Sequence, residues 1–364
     1  MINDNTSLAQ LVERLALSPW IAVDTEADSL HAYPEKICLI QISHVGGDEL
    51  VDPLAGMDLV PLWKAFEGRE LIMHGSDYDL RMFRRCHDFA PTQVFDTMIA
   101  ARMLGETVFG LSALVEKHLQ VELEKGPQKM NWALRPLPSR MEVYARNDTH
   151  YLKPLYDLLK GELVARGRED WAAQTCRQLI VDCSRPEEPD LEREWRVKGT
   201  DRLSPRAQAI VRELFYWREK EARKSNRPPF FILSHDTVTR LAESCEKGEV
   251  DLSVLTPRFS DRRRSGVKAA IEKALELPSS EWPRLKRIQS RYPSRRELDR
   301  FDELKKQRDE LAQGLGIDPT LVATKSGLLA LASESAEAPA ELLPWQRQLL
   351  NSAKNGSAGP DQAA

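Results

Sequence analysis

The sequence lacks the features that would place the protein in a membrane, outside the cell or around a structural zinc ion. No run of about 18 apolar residues occurs, which is the length that a membrane-spanning helix needs. The polar, acidic N-terminus lacks the basic and then apolar layout of a signal peptide. The five cysteines are scattered without a CxxC pair, which argues against a zinc site and a disulfide framework. We therefore predict a cytoplasmic protein with no membrane partner.

Charge is unevenly distributed along the chain. The 364 residues carry a net charge of −4, yet residues 201–300 contain 23 Lys plus Arg against 15 Asp plus Glu. A basic segment beside an acidic one indicates that one part holds cations while the other contacts phosphates. Charge alone equally allows the basic stretch to be a solvated helical surface.

Hydrophobic patterns divide the chain into an α/β half followed by helical blocks. Short apolar runs bounded by turn residues predict strands in the first half, and a long helix is predicted from about residue 138 to about residue 166. The predicted boundaries are an α/β domain over 1–185, a Pro- and Glu-rich linker over 186–202, helical domains over 203–285 and 295–352, and a disordered tail over 353–364.

Acidic residues that could ligate a metal ion occur in three separated segments. In the first, WIAVDTEAD, Asp24 and Glu26 follow an apolar run and lie two residues apart. On a strand, this spacing places both side chains on one face. Two carboxylates on one face repel each other unless a cation neutralises them. The segment therefore predicts a strand end that can bind a cation.

The other two segments place an acid on a helix. In IMHGSDYDL, a strand gives way to a helix that begins near Asp77 and Asp79. In MEVYARNDTHY, Tyr144 and Asp148 are spaced i, i+4 and share one helix face. A tyrosine in that position can hydrogen-bond an attacking water while the aspartate ligates a metal beside it.

Each segment alone also has an ordinary structural explanation. Acids at the end of a strand are usually solvated turn residues, an acid in the first turn of a helix is favoured by the helix dipole, and a tyrosine on an amphipathic helix often lies at its boundary. Together the three segments favour a different interpretation, because carboxylates that converge from distant segments hold two divalent cations for phosphoester hydrolysis.

The order and context of these segments resemble the DEDD superfamily of 3′–5′ exonucleases, in the branch whose third motif is Tyr-x-x-x-Asp. The stretches QIS, VFDTMIAARMLG and NWALRPL, together with the C-terminal half, are similar to the ribonuclease D family over nearly the whole chain. Many superfamily members carry Asn where this chain has His74. Asp79 matches the family pattern better than Asp77, because Leu80 and Phe83 follow it.

The resemblance implies an RNase H-like mixed sheet flanked by helices, with two Mg²⁺ or Mn²⁺ ions at its carboxylate end. Asp24 would bind both ions, Glu26 and Asp148 would complete one site, and Asp79 would hold the other ion. Tyr144 would orient the nucleophilic water. Hard oxygen ligands suit these metals better than soft ones.

Apolar and basic residues near the acidic segments are candidates for substrate contacts. A terminal base needs apolar or aromatic surfaces on which to stack, and phosphates need cations. Core packing is an alternative role for Trp132, and solvated loop charges are an alternative for the cations. The predicted substrate-binding residues are Leu30, His31, His74, Lys129, Met130, Trp132 and Arg135.

The basic block after Leu203 resembles the HRDC domain, a helical module shared by RecQ-type helicases and the ribonuclease D family. A weaker resemblance to a second such domain covers 295–352. No GxxxxGK[ST] loop occurs, so the chain is not itself a helicase. The residues predicted to be exposed and to contact backbone phosphates are Arg218, Arg223, Lys224, Arg227, Arg262, Arg263 and Arg264.

The sequence therefore predicts a monomeric, metal-dependent 3′–5′ exoribonuclease made of an α/β exonuclease domain and all-α HRDC-like domains. By resemblance, its substrate is structured RNA with a single-stranded 3′ end, such as precursor tRNA, and its products are nucleoside 5′-monophosphates. Two alternatives are a 3′–5′ DNA exonuclease that serves repair and a non-catalytic RNA-binding platform.

Overall fold

The computed structural model describes residues 1–124, 126, 129–185, 190–257, 259–283, 292–333 and 342–354. Its contacts divide the chain into two compact units. The first unit comprises 1–27, 37–186 and 291–364, and the second comprises 28–36 and 187–290. The segment predicted to form a second HRDC-like domain thus belongs to the same unit as the α/β half.

A mixed sheet forms the centre of the first unit. The strands of this sheet are β1 (Ile21–Ala27), β2 (Ile37–His44), β3 (Gly47–Val51), β4 (Glu70–Met73) and β5 (Gln93–Asp96). Within the described residues, these five strands follow the order β3-β2-β1-β4-β5. The central strand β1 is antiparallel to β2 and parallel to β4, while β3 and β5 extend the two sides. The predicted mixed sheet is confirmed.

Helices cover this sheet and bury its apolar strands. All eight residues of β2 are buried, as are the first three of β1. The helices of this part are α1 (Asn5–Leu17), α2 (Val60–Phe66), α3 (Asp77–His87), α4 (Thr97–Met103), α5 (Leu111–Leu119), α6 (Ser139–His150), α7 (Leu152–Ala165) and α8 (Glu169–Ser184). A short 3₁₀ helix spans Pro53–Ala55.

The long helix predicted between residues 138 and 166 is two helices. α6 ends at His150 and α7 begins at Leu152, with Tyr151 between them. Pro154 lies in the first turn of α7, where its missing N–H costs no intrahelical hydrogen bond. The division allows α6 to pack on β2 and β3 independently of α7, which packs on α4 and α5.

The second unit is helical and has its own core. Its helices are α9 (Pro205–Ser225), α10 (Pro229–Ile232), α11 (His235–Cys245) and α12 (Asp261–Glu276), with 3₁₀ helices at Thr200–Arg202 and Ser279–Glu281. Trp195 and Val197, in the predicted linker, are buried in this core. The structure thus places the described part of that stretch inside a packed unit; 186–189 lie outside the described residues.

The segment 28–36 is attached to α9 of the second unit. The Tyr33 hydroxyl donates a hydrogen bond to Glu219, and the Tyr33 N–H donates to the Oδ1 of Asn226 at 3.1 Å. The guanidinium of Arg223 lies 5.5 Å from the centre of the Tyr33 ring. These contacts explain why the segment that follows β1 in sequence is grouped with the helical unit.

The last described helices share a hydrophobic core with the α/β half. They are α13 (Arg295–Leu315), α14 (Pro319–Val322), α15 (Lys325–Ala332) and α16 (Pro344–Lys354). The rings of Trp171 and Trp345 stack with centroids 4.8 Å apart. Buried Arg168 donates to the carbonyls of Met103 at 2.8 Å and Leu315 at 2.9 Å. α13–α16 are therefore an integral part of the first unit.

Two further predictions concern the tail and the membrane. α16 continues to Lys354, two residues into the predicted tail, and residues 355–364 lie outside the described residues. In the part of the chain that the structure describes, no helix is both long enough and apolar enough to cross a bilayer.

Candidate active site

β1 presents two of the predicted acids to a cleft of about 960 Å³. Asp24 and Glu26 lie near the C-terminal end of β1, after the buried residues Ile21 to Val23. The lining of the cleft also includes His74 from the turn after β4, Leu111 and Ala113 from α5, and Tyr144 and Asp148 from α6. The structure therefore brings the first and third acidic segments to one cavity.

Asp79 joins this group from the first turn of α3. It is 6% exposed, and Thr25 Oγ1 donates a hydrogen bond to its Oδ1. Asp77, the competing candidate, is exposed. Because Thr25 lies between Asp24 and Glu26, its bond ties Asp79 to the same strand end. We call Asp24, Glu26, Asp79 and Asp148 the carboxylate cluster.

Tyr144 and Asp148 lie one turn apart on α6, as their spacing predicts. The Tyr144 hydroxyl donates a hydrogen bond to the Asp148 carboxylate. Buried Met141 and Ala145 anchor α6 in a hydrophobic cluster with β2, and Tyr144 packs against the same cluster. Gly126 approaches the Tyr144 ring so closely that a Cβ at this position would overlap it. The Tyr144 ring therefore packs against this cluster and against Gly126.

Burial and mutual repulsion raise the pKa values of the carboxylate cluster. The pKa of Asp24 lies well above its ordinary value, first because of burial and then because of Asp79, Asp148 and Glu26. Burial, with Asp148 and Asp79, raises the pKa of Glu26 to about 9. Burial also raises the pKa of Asp79 and of Asp148 to about 7, against the hydrogen bonds from Thr25 and Tyr144. Such a group is stable in ionised form only beside added positive charge.

The donor chemistry of the cluster suits a hard divalent cation. All the atoms that the cluster offers as metal ligands are carboxylate oxygens. No lysine or arginine is among the groups that shift the pKa values of these carboxylates. Among the described residues, no three Asp, Glu, His or Cys side chains already surround a common metal position. The fit therefore rests on uncompensated carboxylate charge around an open cleft.

A buried aspartate that sequence reasoning missed fixes the turn between β4 and α3. Asp96 accepts hydrogen bonds from the backbone N–H of Gly75 at 3.0 Å and of Ser76 at 2.8 Å, and from the Ser76 hydroxyl. It also caps α4 through the N–H groups of Met98 and Ile99. The VFDTM stretch resembles the family, but the sequence alone gives no role for its aspartate. The fold shows that Asp96 positions the segment that leads to Asp79.

Two of the predicted substrate residues have structural roles instead. Trp132 is fully buried in a cluster with Leu39 and Leu137, so the prediction that a base stacks on it is wrong. Arg135 makes a bidentate pair with Asp52, both N···O distances being 2.6 Å, and donates to three carbonyl oxygens. Its donors are used within the protein, so its prediction as a phosphate contact is also wrong.

The remaining substrate candidates lie on exposed segments or in the cleft. Met130 is 48% exposed and Lys129 is also exposed. Leu30 and His31 are exposed and belong to the segment grouped with the second unit. His74 lines the cleft beside the carboxylate cluster. Their contacts with substrate stay predictions.

The basic residues of the second unit fall into two groups. Arg223, Lys224 and Arg227, near the end of α9, are exposed as predicted. The expectation that Arg218 is exposed is wrong: it is 3% exposed, lies over the Phe215 ring and pairs with Glu219 at 3.3 Å. This long side chain points into the helical core rather than to solvent.

The Arg262–Arg264 run is engaged within the protein. Arg262 and Arg263 both pair with buried Glu221, and these hydrogen bonds hold the pKa of Glu221 below its usual value. Arg264 donates to the carbonyl oxygens of Phe259 and Thr256. Arg262 and Arg263 thus join α12 to α9. Arg262 is nevertheless exposed as predicted, and the contacts of the three arginines with phosphates stay predictions.

Comparison with known proteins agrees with this geometry. Residues 1–164 match a 3′–5′ exonuclease family and residues 207–261 match the HRDC domain. Ribonuclease D of Pseudomonas paraeruginosa is 30% identical, the match covering 97% of this chain and 95% of that protein. Ribonuclease D of Jannaschia sp. is also 30% identical, over 91% of this chain and 88% of that protein.

Solved structures extend the similarity to the whole fold. The Escherichia coli RNase D structure, described as that of an exoribonuclease involved in structured RNA processing, matches with a TM-score of 0.74 and 26% identity. That match covers 98% of this chain and 99% of the other. A protein from Bifidobacterium adolescentis matches with a TM-score of 0.82 at 26% identity, over 97% of this chain and 95% of the other. This chain belongs to the ribonuclease D family and is a 3′–5′ exoribonuclease.

Proposed function

We propose that the cleft hydrolyses RNA from its 3′ end by a two-metal-ion mechanism in which the carboxylate cluster holds both ions. The observation that carries this proposal is the cluster itself, four acids from β1, α3 and α6 beside an open cleft, whose pKa values burial raises and, for Asp24 and Glu26, the neighbouring acids raise further. Two Mg²⁺ or Mn²⁺ ions, when bound, would supply the missing positive charge and polarise the scissile phosphate.

Each cluster residue has a role that follows from its position. Asp24, whose pKa is raised by all three other acids, is central and is assigned to both ions. Glu26, whose pKa is raised by Asp148, is assigned together with Asp148 to the ion on the side of the attacking water, and Asp79 is assigned to the other ion. Because buried Asp79 is held by Thr25, its orientation is set by the protein before any ion binds.

Tyr144 is assigned to the attacking water. Its hydroxyl proton is donated to Asp148, and a hydroxyl oxygen is also an acceptor, so Tyr144 can orient a water molecule that donates to it. Attack of that water on phosphorus breaks the bond to the 3′ oxygen of the preceding nucleotide. The products are a nucleoside 5′-monophosphate and an RNA that is shorter by one nucleotide and ends in a 3′ hydroxyl.

The proposed substrate is structured RNA with a single-stranded 3′ end, such as precursor tRNA. Support comes from the Escherichia coli relative, whose structure is described as that of an enzyme of structured RNA processing. The exposed cations Arg223, Lys224 and Arg227 of the second unit are suited to backbone phosphates, which would hold the body of the RNA without reading its sequence.

We further propose that the enzyme acts as a monomer in the cytoplasm. None of the five cysteines forms a disulfide and four of them are buried, which fits a reducing compartment. Light scattering coupled to size-exclusion chromatography should give the mass of one chain. A concentration-independent dimer would contradict the monomer.

The test of the catalytic assignment is a time course on 5′-labelled single-stranded RNA in Mg²⁺, Mn²⁺ or EDTA. Wild type should produce a ladder that shortens from the 3′ end with either metal and no products in EDTA. Asp148→Ala should leave the RNA intact. Asp157→Ala, which removes an exposed acid that pairs with Lys153 on α7, is the matched control and should behave as wild type.

Metal binding provides a second readout that does not depend on turnover. Calorimetric titration of wild type with Mn²⁺ should give two ions per chain, and Asp24→Asn should lose both because Asp24 is assigned to both. Two ions bound by Asp24→Asn, or normal cleavage by Asp148→Ala, would contradict the assignment.

A further inference from the structure

His74 lies in the cleft but has no part in the metal site proposed above. It follows β4 directly and lines the cavity that contains Asp24, Glu26 and Asp148. Its ring Nδ1 lies 2.8 Å from the hydroxyl oxygen of Thr97. The other ring nitrogen, Nε2, is the one left for the cleft, so its protonation state decides what His74 can recognise.

The surroundings of Thr97 determine which ring nitrogen carries the proton. Thr97 Oγ1 donates a hydrogen bond to the carbonyl oxygen of Met73 at 3.1 Å. A hydroxyl has one hydrogen, and a carbonyl oxygen can only accept. Because that hydrogen is used, Thr97 can bond to His74 only as an acceptor. His74 Nδ1 therefore carries the hydrogen, and Nε2 carries a lone pair.

This arrangement is shielded from exchange with water. Thr97 and Met73 are fully buried. Burial lowers the pKa of His74 and so favours the neutral ring, whereas Asp96 acts in the opposite direction. A neutral imidazole fixed in one tautomer is a hydrogen-bond acceptor at a defined position.

The chemistry of RNA limits what such an acceptor can bind. Phosphate oxygens only accept hydrogen bonds, so they gain nothing from Nε2. Base N–H groups differ from one nucleotide to the next, whereas every ribonucleotide offers ribose hydroxyls. A nuclease that removes successive nucleotides meets a ribose in each cycle, and the 2′ hydroxyl is the group that distinguishes RNA from DNA.

We propose that Nε2 of His74 accepts a hydrogen bond from a ribose hydroxyl of the 3′-terminal nucleotide, and that Thr97 is the positioning residue that fixes the required tautomer. The assignment rests on the proposed function of the cleft as the catalytic centre. It adds a contact that selects the sugar, which the carboxylate cluster does not provide.

The first test compares three RNA oligomers that differ only in the 3′-terminal sugar: ribose, 2′-deoxyribose and 3′-deoxyribose. For wild type, kcat/KM, and affinity measured by fluorescence anisotropy in EDTA, should each fall roughly three- to tenfold when the recognised hydroxyl is removed. His74→Ala should lower both values for the ribose-ended oligomer to those of the deoxy-ended one. The deoxy-ended oligomer for which kcat/KM and affinity fall in wild type identifies the recognised hydroxyl as 2′ or 3′.

The control is His235→Ala, which removes an exposed histidine at the start of α11 and should keep the wild-type ratios. Equal ratios in wild type and His74→Ala for both sugars would overturn the inference. Asp148→Ala separates this failure from that of the proposed function. If Asp148→Ala abolishes cleavage while His74→Ala keeps the ratios, only the role of His74 is wrong.

The second test addresses the tautomer directly. Ring ¹⁵N spectra, with the His74 signals assigned by their loss in His74→Ala, should show a protonated Nδ1 and an unprotonated Nε2 at neutral pH. Thr97→Val should shift the ring towards a mixture of tautomers and weaken sugar discrimination, and Thr97→Ser, which keeps the hydroxyl, should restore both. A protonated Nε2 in wild type would overturn the proposal.

Discussion

Thr25 Oγ1 donates a hydrogen bond to Oδ1 of Asp79, so the residue between two acids of β1 holds a third acid on α3. Thr25 is 7% exposed and Asp79 is 6% exposed, so water competes little for the bond. Burial raises the pKa of Asp79 to about 7, and the bond from Thr25 acts in the opposite direction. The ionised form of Asp79 at neutral pH therefore depends on this hydroxyl.

Replacing the hydroxyl should impair catalysis near neutral pH. We expect Thr25→Val to lower kcat at pH 7 by roughly tenfold, because a hydrogen bond to a charged group contributes about 1.5–3 kcal/mol. Thr25→Ser keeps the hydroxyl and should remain close to wild type. Rates measured between pH 6 and pH 9 should show the deficit of Thr25→Val shrinking as pH rises. Equal rates for the two variants would contradict this role.

The raised pKa values also predict how the metal-free protein responds to pH. In the folded state the carboxylates of Glu26, Asp79 and Asp148 bind protons up to about pH 9, 7 and 7, whereas their ordinary values are 4.5, 3.8 and 3.8. The folded state thus holds more protons than the unfolded state, and the free energy of unfolding should fall as pH rises from about 4 to about 9.

Thermal unfolding of the EDTA-treated protein at several pH values would check this trend. The melting temperature should decrease across that range, and saturating Mn²⁺ should restore it most strongly at the alkaline end. Asp148→Asn should flatten the decrease, because it removes one of the groups responsible. A melting temperature that rises with pH in EDTA would contradict the electrostatic description of the site.

Trp345 should be important for the stability of the first unit. It is 2% exposed and stacks on Trp171, so Trp345→Ala removes a large buried ring from the shared core. We expect a loss of about 3–5 kcal/mol in the free energy of unfolding, measured with urea. Tyr292→Ala removes an aromatic ring that is 92% exposed and should change the free energy by less than about 0.5 kcal/mol. Similar losses for both would mean that α16 does not pack as described.

Arg135 should be required for folding rather than for RNA binding. Arg135→Ala leaves Asp52, 6% exposed, without its bidentate partner and should lower the free energy of unfolding by about 3 kcal/mol. Arg135→Lys should recover little, because an ammonium group lacks the planar fork of donors. Arg140→Ala, which truncates an exposed arginine on α6, is the control for stability. A full recovery by lysine would contradict the geometric argument.

The exposed cations of α9 should act through electrostatics. Lys224→Gln should weaken RNA binding and reduce the slope of log affinity against log salt by about 0.7, the value for one phosphate contact with a single strand. Lys273→Gln, which removes a cation paired with Glu213 at 2.7 Å, should leave the slope unchanged. An unchanged slope in Lys224→Gln would place RNA elsewhere on the second unit.

The sequence predicts the cleft well because its residues lie at diagnostic spacings. The i, i+2 pair Asp24 and Glu26 and the i, i+4 pair Tyr144 and Asp148 each lie on one face of a regular element, so local geometry determines their direction. The sheet could be predicted for the same reason, since its strands are short apolar runs between turn residues. Asp79 is buried whereas Asp77 is exposed, which agrees with the choice of Asp79 from its position directly before Leu80.

Predictions failed where a long-range partner decides the role of a side chain. Arg135 pairs with Asp52, 83 residues away, and no local pattern indicates this pair. Arg262 also has a distant partner, Glu221, 41 residues away, but it is exposed as predicted and its contact with phosphates stays a prediction. Asp96 and Thr97 were missed for a related reason. Their partners in the turn after β4 precede them by about 20 residues, and only the parallel pairing of β4 with β5 brings the two segments together.

The position of α16 after the second unit in the sequence also determines when the core of the first unit can be completed. Trp345 and Leu350 of α16 fill the same core as Phe95 of β5 and Leu159 of α7. The core therefore stays incomplete until α16 has left the ribosome. Synthesis of the second unit must therefore be finished first. A nascent chain that has reached only the second unit would contain all four acids of the carboxylate cluster but not the complete core of the unit that holds them.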